Sequence, residues 1–502
     1  MARYKEVDRS PRFLPVVLSD QIQPGTFEFT LDWLVDHELA LAALDARFHN
    51  DETGAPAYDP RVMLKIVLLG YSRGLVSSRA IERACRENVT FIALSGDSAP
   101  SYTHIAKFVR ELGDEVAALF TQVLMTCDRL GLIGKELFAI DGVKLPSNAS
   151  KERSGTHAEL LHRAERLEKA ADKIIETHRA RDEGKGDEDL DAKRRAQVER
   201  IRRESRATRE FVATHPPKRS AKGHELKSNV TDNDSAKMAT GKGVIQGYAA
   251  QAAVDAKHRV IVAADLAEGG TEQASLLPMI EAARPLGTDQ TLITADAGYH
   301  SKDNLEALRA SGTPVLVADP GMRKRDERLK DQAKHKAKGD PLHDKRGPGE
   351  SASKTYKADA FRYDPETNRC ICPAGKALYS SGSEVVIKGI TFHRFKGAIR
   401  DCGQCELRRQ CLRDPGKTRI RQVAINLNRP KPVDAMTLMR KAIDSPAGRS
   451  MYGRRIGTVE PVFANLRHNK RLTRFTLRGR CRVRTQWFLY CLVNNIETIA
   501  RC

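Results

Sequence analysis

The first quarter of the chain has apolar residues three or four positions apart, the spacing of an amphipathic helix. A helix is predicted over 59–70, where an Asp-Pro pair suits an N-terminus because Asp accepts free backbone N–H groups and Pro has none to satisfy. Further helices are predicted over 79–87 and 103–130. The pattern predicts a helical domain over 1–130, typical both of a small DNA-binding domain and of a dimerisation module.

The period of the pattern changes after residue 130. A short apolar run at 137–140, ended by Asp141 and a glycine, predicts a buried strand. Charged helical sequence over 150–215, interrupted at 182–187, predicts an inserted antiparallel helical hairpin. Further strands are predicted at 244–255, 260–265, 290–296 and 314–319. Strands interleaved with helices predict an α/β or α+β sheet core over 131–320.

Three further segments are predicted in the rest of the chain. Residues 321–357 are rich in Lys, Asp, Gly and Pro and nearly lack apolar residues, which indicates a basic flexible linker. A cysteine-rich insertion with short strands follows at 358–415. Residues 416–502 are predicted to be largely helical and to complete the sheet domain.

The charge of the chain indicates its class of partner. The 502 residues contain 85 Lys and Arg against 65 Asp and Glu, so the net charge is 85 − 65 = +20. Between residues 452 and 484 there are ten basic residues and a single acid, Glu460. Clustered positive charge attracts polyanions, and nucleic acid is the commonest of these in cells. This basic stretch therefore predicts contact with a phosphate backbone.

The apolar pattern excludes membrane-spanning and secreted proteins. No run approaches the ~18 consecutive apolar residues that would cross a bilayer, and the first residues include no apolar signal segment. We therefore expect a soluble, cytoplasmic protein without a membrane partner.

The ten cysteines are expected to be thiols or metal ligands, because a chain without a secretion signal is unsuited to disulfides. Four lie in apolar, helix-like sequence and are predicted to be core residues: Cys85, Cys127, Cys481 and Cys491. In the insertion, Cys-x2-Cys spacing indicates a candidate Zn²⁺ site formed by Cys372, Cys402, Cys405 and Cys411. Cys370 competes for a place in it, and five reduced thiols are an equally weighted alternative.

Three acids stand in contexts suited to metal-dependent chemistry. Asp141 and Asp296 each end a predicted strand, and Glu460 is the acid of the basic stretch. The helix of Glu460 is predicted to begin near that residue because Pro461 suits a first turn, with an apolar stripe of Val459, Val462, Phe463 and Leu466. Clustered carboxylates stay ionised easily only with cations between them, and Mg²⁺ takes such oxygen ligands. For either Asp alone, a simple turn residue is the alternative.

Five segments in order along the chain resemble bacterial insertion-sequence transposases with an RNase H-like DDE catalytic domain. They are Asp59-Pro-Arg with the sequence up to Arg79, Asp141-Gly-Val-Lys, the pair 231–238 and 247–255, Ala295-Asp296-Ala-Gly-Tyr299, and Val459-Glu460-Pro-Val-Phe463. The resemblance implies an RNase H-like mixed sheet core. It also implies that Asp141, Asp296 and Glu460 form a catalytic triad that binds two Mg²⁺ or Mn²⁺ ions.

The same resemblance, with the basic stretch, indicates which residues contact DNA. The Glu motif of this family is Tyr-x2-Arg-x3-Glu-x6-Lys. Here Tyr452 and Arg455 precede Glu460 with one additional residue, and Arg467 replaces Lys and keeps its charge. The predicted DNA-contacting residues are Tyr452, Arg455, Arg467, His468, Lys470 and Arg471.

The implied function is DNA transposition. The protein would cleave double-stranded DNA at the terminal inverted repeats of its element and join the 3′-hydroxyl ends to target DNA, acting as a homodimer at the bacterial nucleoid. The N-terminal helices would bind the element ends. Two alternatives remain: a DNA-binding derivative without activity, and a nuclease that cuts without joining.

Overall fold

The fold is given by a computed structural model that describes residues 16–48, 56–179, 188–220, 223–327, 329, 355–387, 390–426 and 434–502. The chain divides into two compact units, Met1–Leu342 together with Met439–Cys502, and His343–Leu438. Most of the predicted linker at 321–357, and the predicted interruption at 182–187, lie outside the described residues. No described helix has both the length and the apolar character needed to cross a membrane.

Helices and strands alternate along much of the chain, in the mixed α/β class that the sequence predicts. The described α-helices are α1 (Phe27–Trp33), α2 (Ala42–Asp45), α3 (Pro60–Ser72), α4 (Ser78–Glu87), α5 (Val89–Ser95), α6 (Tyr102–Glu111), α7 (Glu115–Arg129), α8 (His157–Arg179), α9 (Glu188–Thr214), α10 (Leu276–Ala283), α11 (Lys302–Ala310), α12 (Met322–Arg325), α13 (Ile399–Gly403), α14 (Arg408–Cys411), α15 (Ala435–Asp444), α16 (Pro446–Ala464) and α17 (Arg480–Ala500). The described strands are β1 (Leu137–Pro146), β2 (Ser154–Gly155), β3 (Ser228–Asn229), β4 (Ala236–Thr240), β5 (Gly243–Asp255), β6 (Ile261–Leu266), β7 (Leu292–Ala295), β8 (Val315–Val317), β9 (Arg362–Asp364), β10 (Arg369–Ile371), β11 (Ala377–Ile387), β12 (Ile390–Lys396) and β13 (Gln422–Asn426).

The first two helices predicted near the N-terminus each begin directly after a capping residue. The Asp59 carboxylate accepts the backbone N–H of Arg61 at 2.7 Å, and the Ser77 hydroxyl accepts that of Ala80 at 3.1 Å. The single helix predicted over 103–130 is wrong. It is divided into α6 and α7 because the backbone turns at Gly113, whose φ of +55° favours glycine. These helices pack against α17, from the other end of the chain.

The central sheet has the described strand order β4-β5-β1-β7-β8, with β6 also paired to β5. Strand β5 is antiparallel to β1, β4 and β6, whereas β7 is parallel to β1 and β8. The sequence predicted that Asp141 ends its strand. This prediction is wrong, because Asp141 lies within β1. The strand continues because the long β5 pairs with it as far as Pro146, opposite Gly247.

The predicted helical hairpin is formed by α8 and α9. The hydroxyl of Ser205 donates to the carbonyl of Ala164 at 3.0 Å, and Arg202 donates to Asp172 at 3.1 Å. Later positions of α8 thus meet earlier positions of α9, so the two helices are antiparallel. The hairpin separates β2 from β3, which pair with each other at its base.

The helix that carries Glu460 begins much earlier than predicted. Helix α16 starts at Pro446, where Ser445 accepts the backbone N–H of Gly448 at 3.0 Å, and Pro461 lies inside the last part of the helix. The start is set by this Ser-Pro pair, which supplies both a cap and a first-turn proline. The predicted apolar stripe is confirmed by the burial of Val459, Val462, Phe463 and Leu466.

The His343–Leu438 unit contains a second sheet, ordered β13-β12-β11-β10-β9 and antiparallel throughout. Helices α13 and α14 lie between β12 and β13 in the sequence. Its buried core consists of Phe361, Cys370, Leu378, Phe395 and Val423.

Candidate active site

Asp141 and Asp296 follow matching positions of two adjacent strands. In the parallel pair β1 and β7, Ile140 lies opposite Ala295; Asp141 comes next within β1, and Asp296 is the first residue after β7. Neighbouring strands are about 4.8 Å apart, so carboxylates at matching positions are close. Burial and then the charge of Asp296 raise the pKa of Asp141 above its usual value. The structure therefore brings together the two aspartates that the sequence singled out.

Arg455 of α16 is the counter-ion of Asp141. Its Nη1 donates to Asp141 Oδ2 at 2.7 Å, and the backbone N–H of Gly142 donates to Oδ1 at 2.8 Å. Only 8% of the Arg455 side chain is exposed, and its Nε has no hydrogen-bond partner among the described residues. Burial raises the pKa of Asp141, and the charge of Arg455 lowers it. The net shift is upward, so burial has the larger effect.

Tyr452 lies one helical turn before Arg455, close to the same two aspartates. Its side chain is buried against Leu316, Ala318 and Ile443, and burial raises its pKa. The guanidinium carbon of Arg455 is 5.7 Å from the centre of the Tyr452 ring. Two of the residues assigned to DNA contact are thus buried beside the acids and do not lie on an open surface.

A third acid, Glu272, lies beside Asp296 and was missed by the sequence analysis. A Cβ atom built on Gly298 would be 2.8 Å from Glu272 Oε2 and 2.9 Å from Asp296 Oδ1. The two oxygens are therefore at most 2.8 + 2.9 = 5.7 Å apart. Burial, followed by the charges of Asp296 and Asp141, acts to raise the pKa of Glu272. Glu272 lies in a loop without hydrophobic period, so no sequence pattern could have identified it.

Glu460 lies on another side of α16. It is exposed, and it makes no hydrogen bond or ion pair within the part of the chain that the structure describes. A residue of an α-helix is rotated about 100° from the one before it, so Glu460 lies about 140° around the helix from Arg455. The structure thus brings Arg455 to the two aspartates but does not place Glu460 in contact with either.

The site formed by Asp141, Asp296 and Glu272, called the cleft below, has the donor set of a divalent-cation site. Carboxylates of Asp141, Asp296 and Glu272 share it, and Mg²⁺ takes carboxylate oxygens as ligands in proteins. Across the described ranges, no three His, Cys, Asp or Glu side chains are already spaced to hold a metal ion. Instead Arg455 contacts Asp141, and Lys144 approaches Glu272 at 3.8 Å, so these two side chains supply part of the compensating charge.

The exposed basic surface is smaller than the basic stretch suggests. Lys470 is buried and its ammonium group bonds to Glu497, so it is not on that surface. Several neighbours also donate hydrogen bonds within the protein, namely Arg454, Arg474, Arg478, Arg480 and Arg484. The residues predicted to contact DNA that remain exposed are Arg467, His468 and Arg471.

Four of the five cysteines in the His343–Leu438 unit line one cavity: Cys372, Cys402, Cys405 and Cys411. Burial raises the pKa of Cys411, and the other three thiols raise it further. Cys370 is not among the lining residues, because its side chain is fully buried in the apolar core of the second sheet. The structure thus separates Cys370 from the four that the sequence favoured.

The four cysteines that were predicted to be core residues are buried with one exception. Cys85, Cys127 and Cys491 are buried, as their apolar surroundings indicated. Cys481 is exposed, and its assignment to the core was wrong. It lies between Arg480 and Arg482 in the first turn of α17, ahead of the residues that the helix buries.

Two parts of the chain match known protein families. Residues 371–500 match the family described as "Transposase DDE domain", and residues 16–111 match "Transposase domain (DUF772)". The first match contains Tyr452, Arg455 and Glu460 but begins after Asp141 and Asp296. No curated protein matches the chain. Both families are transposase domains, and together they indicate an insertion-sequence transposase of the DDE type.

Proposed function

We propose that this protein cleaves DNA at the terminal inverted repeats of an insertion sequence and joins the released 3′-hydroxyl ends to target DNA. The observation that carries the proposal is the proximity of Asp141, in β1, to Asp296, which directly follows the parallel neighbour β7. The strand order supports an RNase H-like core, since β1 has an antiparallel neighbour, β5, on one side and a parallel neighbour, β7, on the other.

Divalent cations fit this chemistry. Two Mg²⁺ or Mn²⁺ ions, bound by carboxylates, would activate the attacking hydroxyl and stabilise the leaving oxygen of a phosphodiester. Asp141, Asp296 and, by family resemblance, Glu460 are the proposed ligands. Glu460 belongs to the matched transposase DDE domain, and its exposure leaves its carboxylate accessible to bound DNA or metal.

Positive side chains would hold the DNA. The exposed Arg467, His468 and Arg471 follow Glu460 along the chain, where they would contact phosphates. Buried Arg455 already donates a hydrogen bond to Asp141. It would either orient Asp141 or release it and bind a DNA phosphate instead. We assign end recognition to the N-terminal helices, whose residues 16–111 match a transposase domain. Two ends must be brought together, which favours a homodimer on DNA at the nucleoid.

The test uses purified protein, labelled duplexes that carry the DNA flanking the gene, Mg²⁺ and a plasmid target. End-specific joined products are expected from the wild type. Asp296→Asn should reduce cutting and joining at least about a thousandfold, because it removes a cation ligand worth several kcal/mol. Asp289→Asn is the matched control, because Asp289 is exposed in the loop that precedes β7.

The same assay separates the alternatives. Cutting without joining would favour a simple nuclease, and DNA binding without cutting would favour a derivative that lacks activity. Full activity of Asp296→Asn would contradict the proposed site.

We also propose that Cys372, Cys402, Cys405 and Cys411 bind a structural Zn²⁺ ion. Four thiolates suit tetrahedral zinc, and the four line one cavity, whereas Cys370 is committed to the apolar core. Binding of zinc would bring the four thiols closer together than they are in this structure. About one zinc per chain is expected from elemental analysis, and Cys405→Ser should lose it. Cys481→Ser, at an exposed cysteine of α17, should retain it; equal loss in both variants would contradict the site.

A further inference from the structure

We propose that Glu272 is a further carboxylate ligand of the cation site at Asp141 and Asp296, distinct from Glu460. The proposal rests on the proposed function, because it concerns the same cleft. Glu272 lies between β6 and α10, outside both family matches. Its position in the folded chain, beside Asp296, is therefore the basis of the assignment.

The first argument is distance. Glu272 Oε2 and Asp296 Oδ1 both lie within 2.9 Å of the point where Gly298 would carry a Cβ atom. A side chain at position 298 would therefore displace the two carboxylates, and glycine leaves them room to approach. Two carboxylate oxygens at most 5.7 Å apart can share a cation after small side-chain rotations, since Mg²⁺–oxygen distances are about 2.1 Å.

The second argument is the anchoring of the two loops. The Asn304 side chain of α11 donates to the carbonyl of Gln273 at 2.8 Å and to that of Tyr299 at 3.0 Å. Asn304 is buried, so these bonds are shielded from water. One side chain thus ties the residue after Glu272 to the loop that follows Asp296. The fold itself therefore holds Glu272 and Asp296 near each other.

The third argument is uncompensated charge. Among the described residues, Glu272 has one ion-pair partner, Lys144, at 3.8 Å, and only 17% of the Glu272 side chain is exposed. It shares this half-buried cleft with the charges of Asp141 and Asp296. Like charges in such a site repel unless a cation lies between them. A divalent cation would relieve the repulsion among all three carboxylates at once.

A buried, unpartnered group beside the acids also points to a ligand. Gln251 is fully buried; Tyr299 donates to its Oε1, while its Nε2 has no partner among the described residues. A Cβ atom built on Gly142 would be 2.5 Å from that Nε2, which places the amide next to the residue that follows Asp141. Buried donors are normally satisfied. Gly142 shares its face of β1 with Lys144, which approaches Glu272, so an oxygen held at Glu272, from hydration water or a phosphate, would satisfy this amide.

The test measures Mn²⁺ binding to the full-length protein by electron paramagnetic resonance, without DNA. Glu272→Gln should weaken binding at least about tenfold, because loss even of groups that only support a metal ligand costs that much. Its fold should persist, since glutamine keeps the shape and removes an unfavourable charge. Glu268→Gln is the matched control, because Glu268 is exposed four residues earlier in the same loop. Circular dichroism without metal checks that each variant is folded.

Asp296→Asn and Glu460→Gln complete the series and distinguish two kinds of failure. If Asp296→Asn weakens Mn²⁺ binding and Glu272→Gln does not, Glu272 is not a ligand while the proposed function stands. If neither changes binding, the cleft holds no cation and both proposals fail. A loss in Glu272→Gln together with wild-type binding in Glu268→Gln supports the assignment. The Glu460→Gln result then shows whether Glu460 contributes before DNA is bound.

Discussion

Two aspartates of the central sheet region each pair with an arginine, yet the pKa of one is raised above its usual value and the pKa of the other is lowered. Asp141 in β1 accepts a hydrogen bond from Arg455 at 2.7 Å, and Asp319, two residues after β8, accepts from Arg325 at 2.5 and 2.9 Å. Both carboxylates are largely buried, with 16% and 9% of their side chains exposed. Arg325 lowers the pKa of Asp319 to about 2, whereas burial raises the pKa of Asp141.

The difference comes from the neighbours of each carboxylate. Asp319 receives two guanidinium N–H groups and the backbone N–H of Gly321 at 2.8 Å, all of which favour its charge. Asp141 receives one guanidinium group and one backbone N–H, and it faces the like charge of Asp296. An ion pair alone therefore does not reveal a role. A carboxyl group kept where its charge is disfavoured is typical of a functional site, and one kept where its charge is favoured is typical of a structural pair.

The largest effect in this comparison is expected at Asp319. Because its folded pKa is about 2, the ionised carboxylate stabilises the fold above the ordinary Asp pKa near 3.9, and this stabilisation is lost as pH falls to about 2. Asp319→Asn should lower the free energy of unfolding at neutral pH by about 2 kcal/mol and remove this acid-dependent loss. Urea unfolding from pH 7 down to pH 2 measures both, and parallel profiles for wild type and variant would refute the structural role.

A smaller effect of opposite sign is expected at Asp141. Its folded pKa is raised, so stability should fall as pH rises from the ordinary Asp value through the folded one. Asp141→Asn should leave the free energy of unfolding at neutral pH unchanged or raise it by about 1 kcal/mol at most, while abolishing cleavage. Urea unfolding and the cleavage assay are run on the same preparation. A loss of stability as large as that in Asp319→Asn would show that the two pairs are alike.

The smallest effect is expected at Asp444, which extends the Arg325 pair. Asp444 accepts from Arg325 at 2.7 Å and from Arg449 at 2.6 Å, with 29% of its side chain exposed. Partly exposed ion pairs contribute little, so Asp444→Asn should cost about 1 kcal/mol or less in urea unfolding. A cost above that of Asp319→Asn would mean that Asp444, and not Asp319, is the main partner of Arg325.

Local sequence patterns predicted many elements correctly because those elements depend on nearby residues. Helix α3 begins at its predicted cap, Asp59, α4 begins within one residue of its predicted start, and the apolar stripe of α16 is buried as expected. The errors arose where a distant partner or a backbone turn intervened. Strand β1 extends past Asp141 because β5, about a hundred residues later, pairs with it, and α6 ends before α7 at the turn around Gly113.

The candidate site was predicted in part for the same reason. Asp296 directly follows a short apolar strand, which is a local signal. Glu272 carries no local signal, because a single acid in an irregular loop resembles any solvated residue. Lys470 looked like a member of a basic surface, but its partner Glu497 lies on α17 and holds it inside the protein.

The amino-acid sequence by itself determined the periodic elements, the net positive charge and the order of the motifs that resemble a transposase, because these depend on residue types and short spacings. Only the tertiary structure decided which charged groups share a buried environment. Arg455 pairs with Asp141 across 314 residues of sequence, Glu272 lies beside Asp296, and Cys370 is withdrawn from the other four cysteines of its unit. Burial and the field of neighbouring charges are set by residues far apart in the chain, so no local pattern contains them.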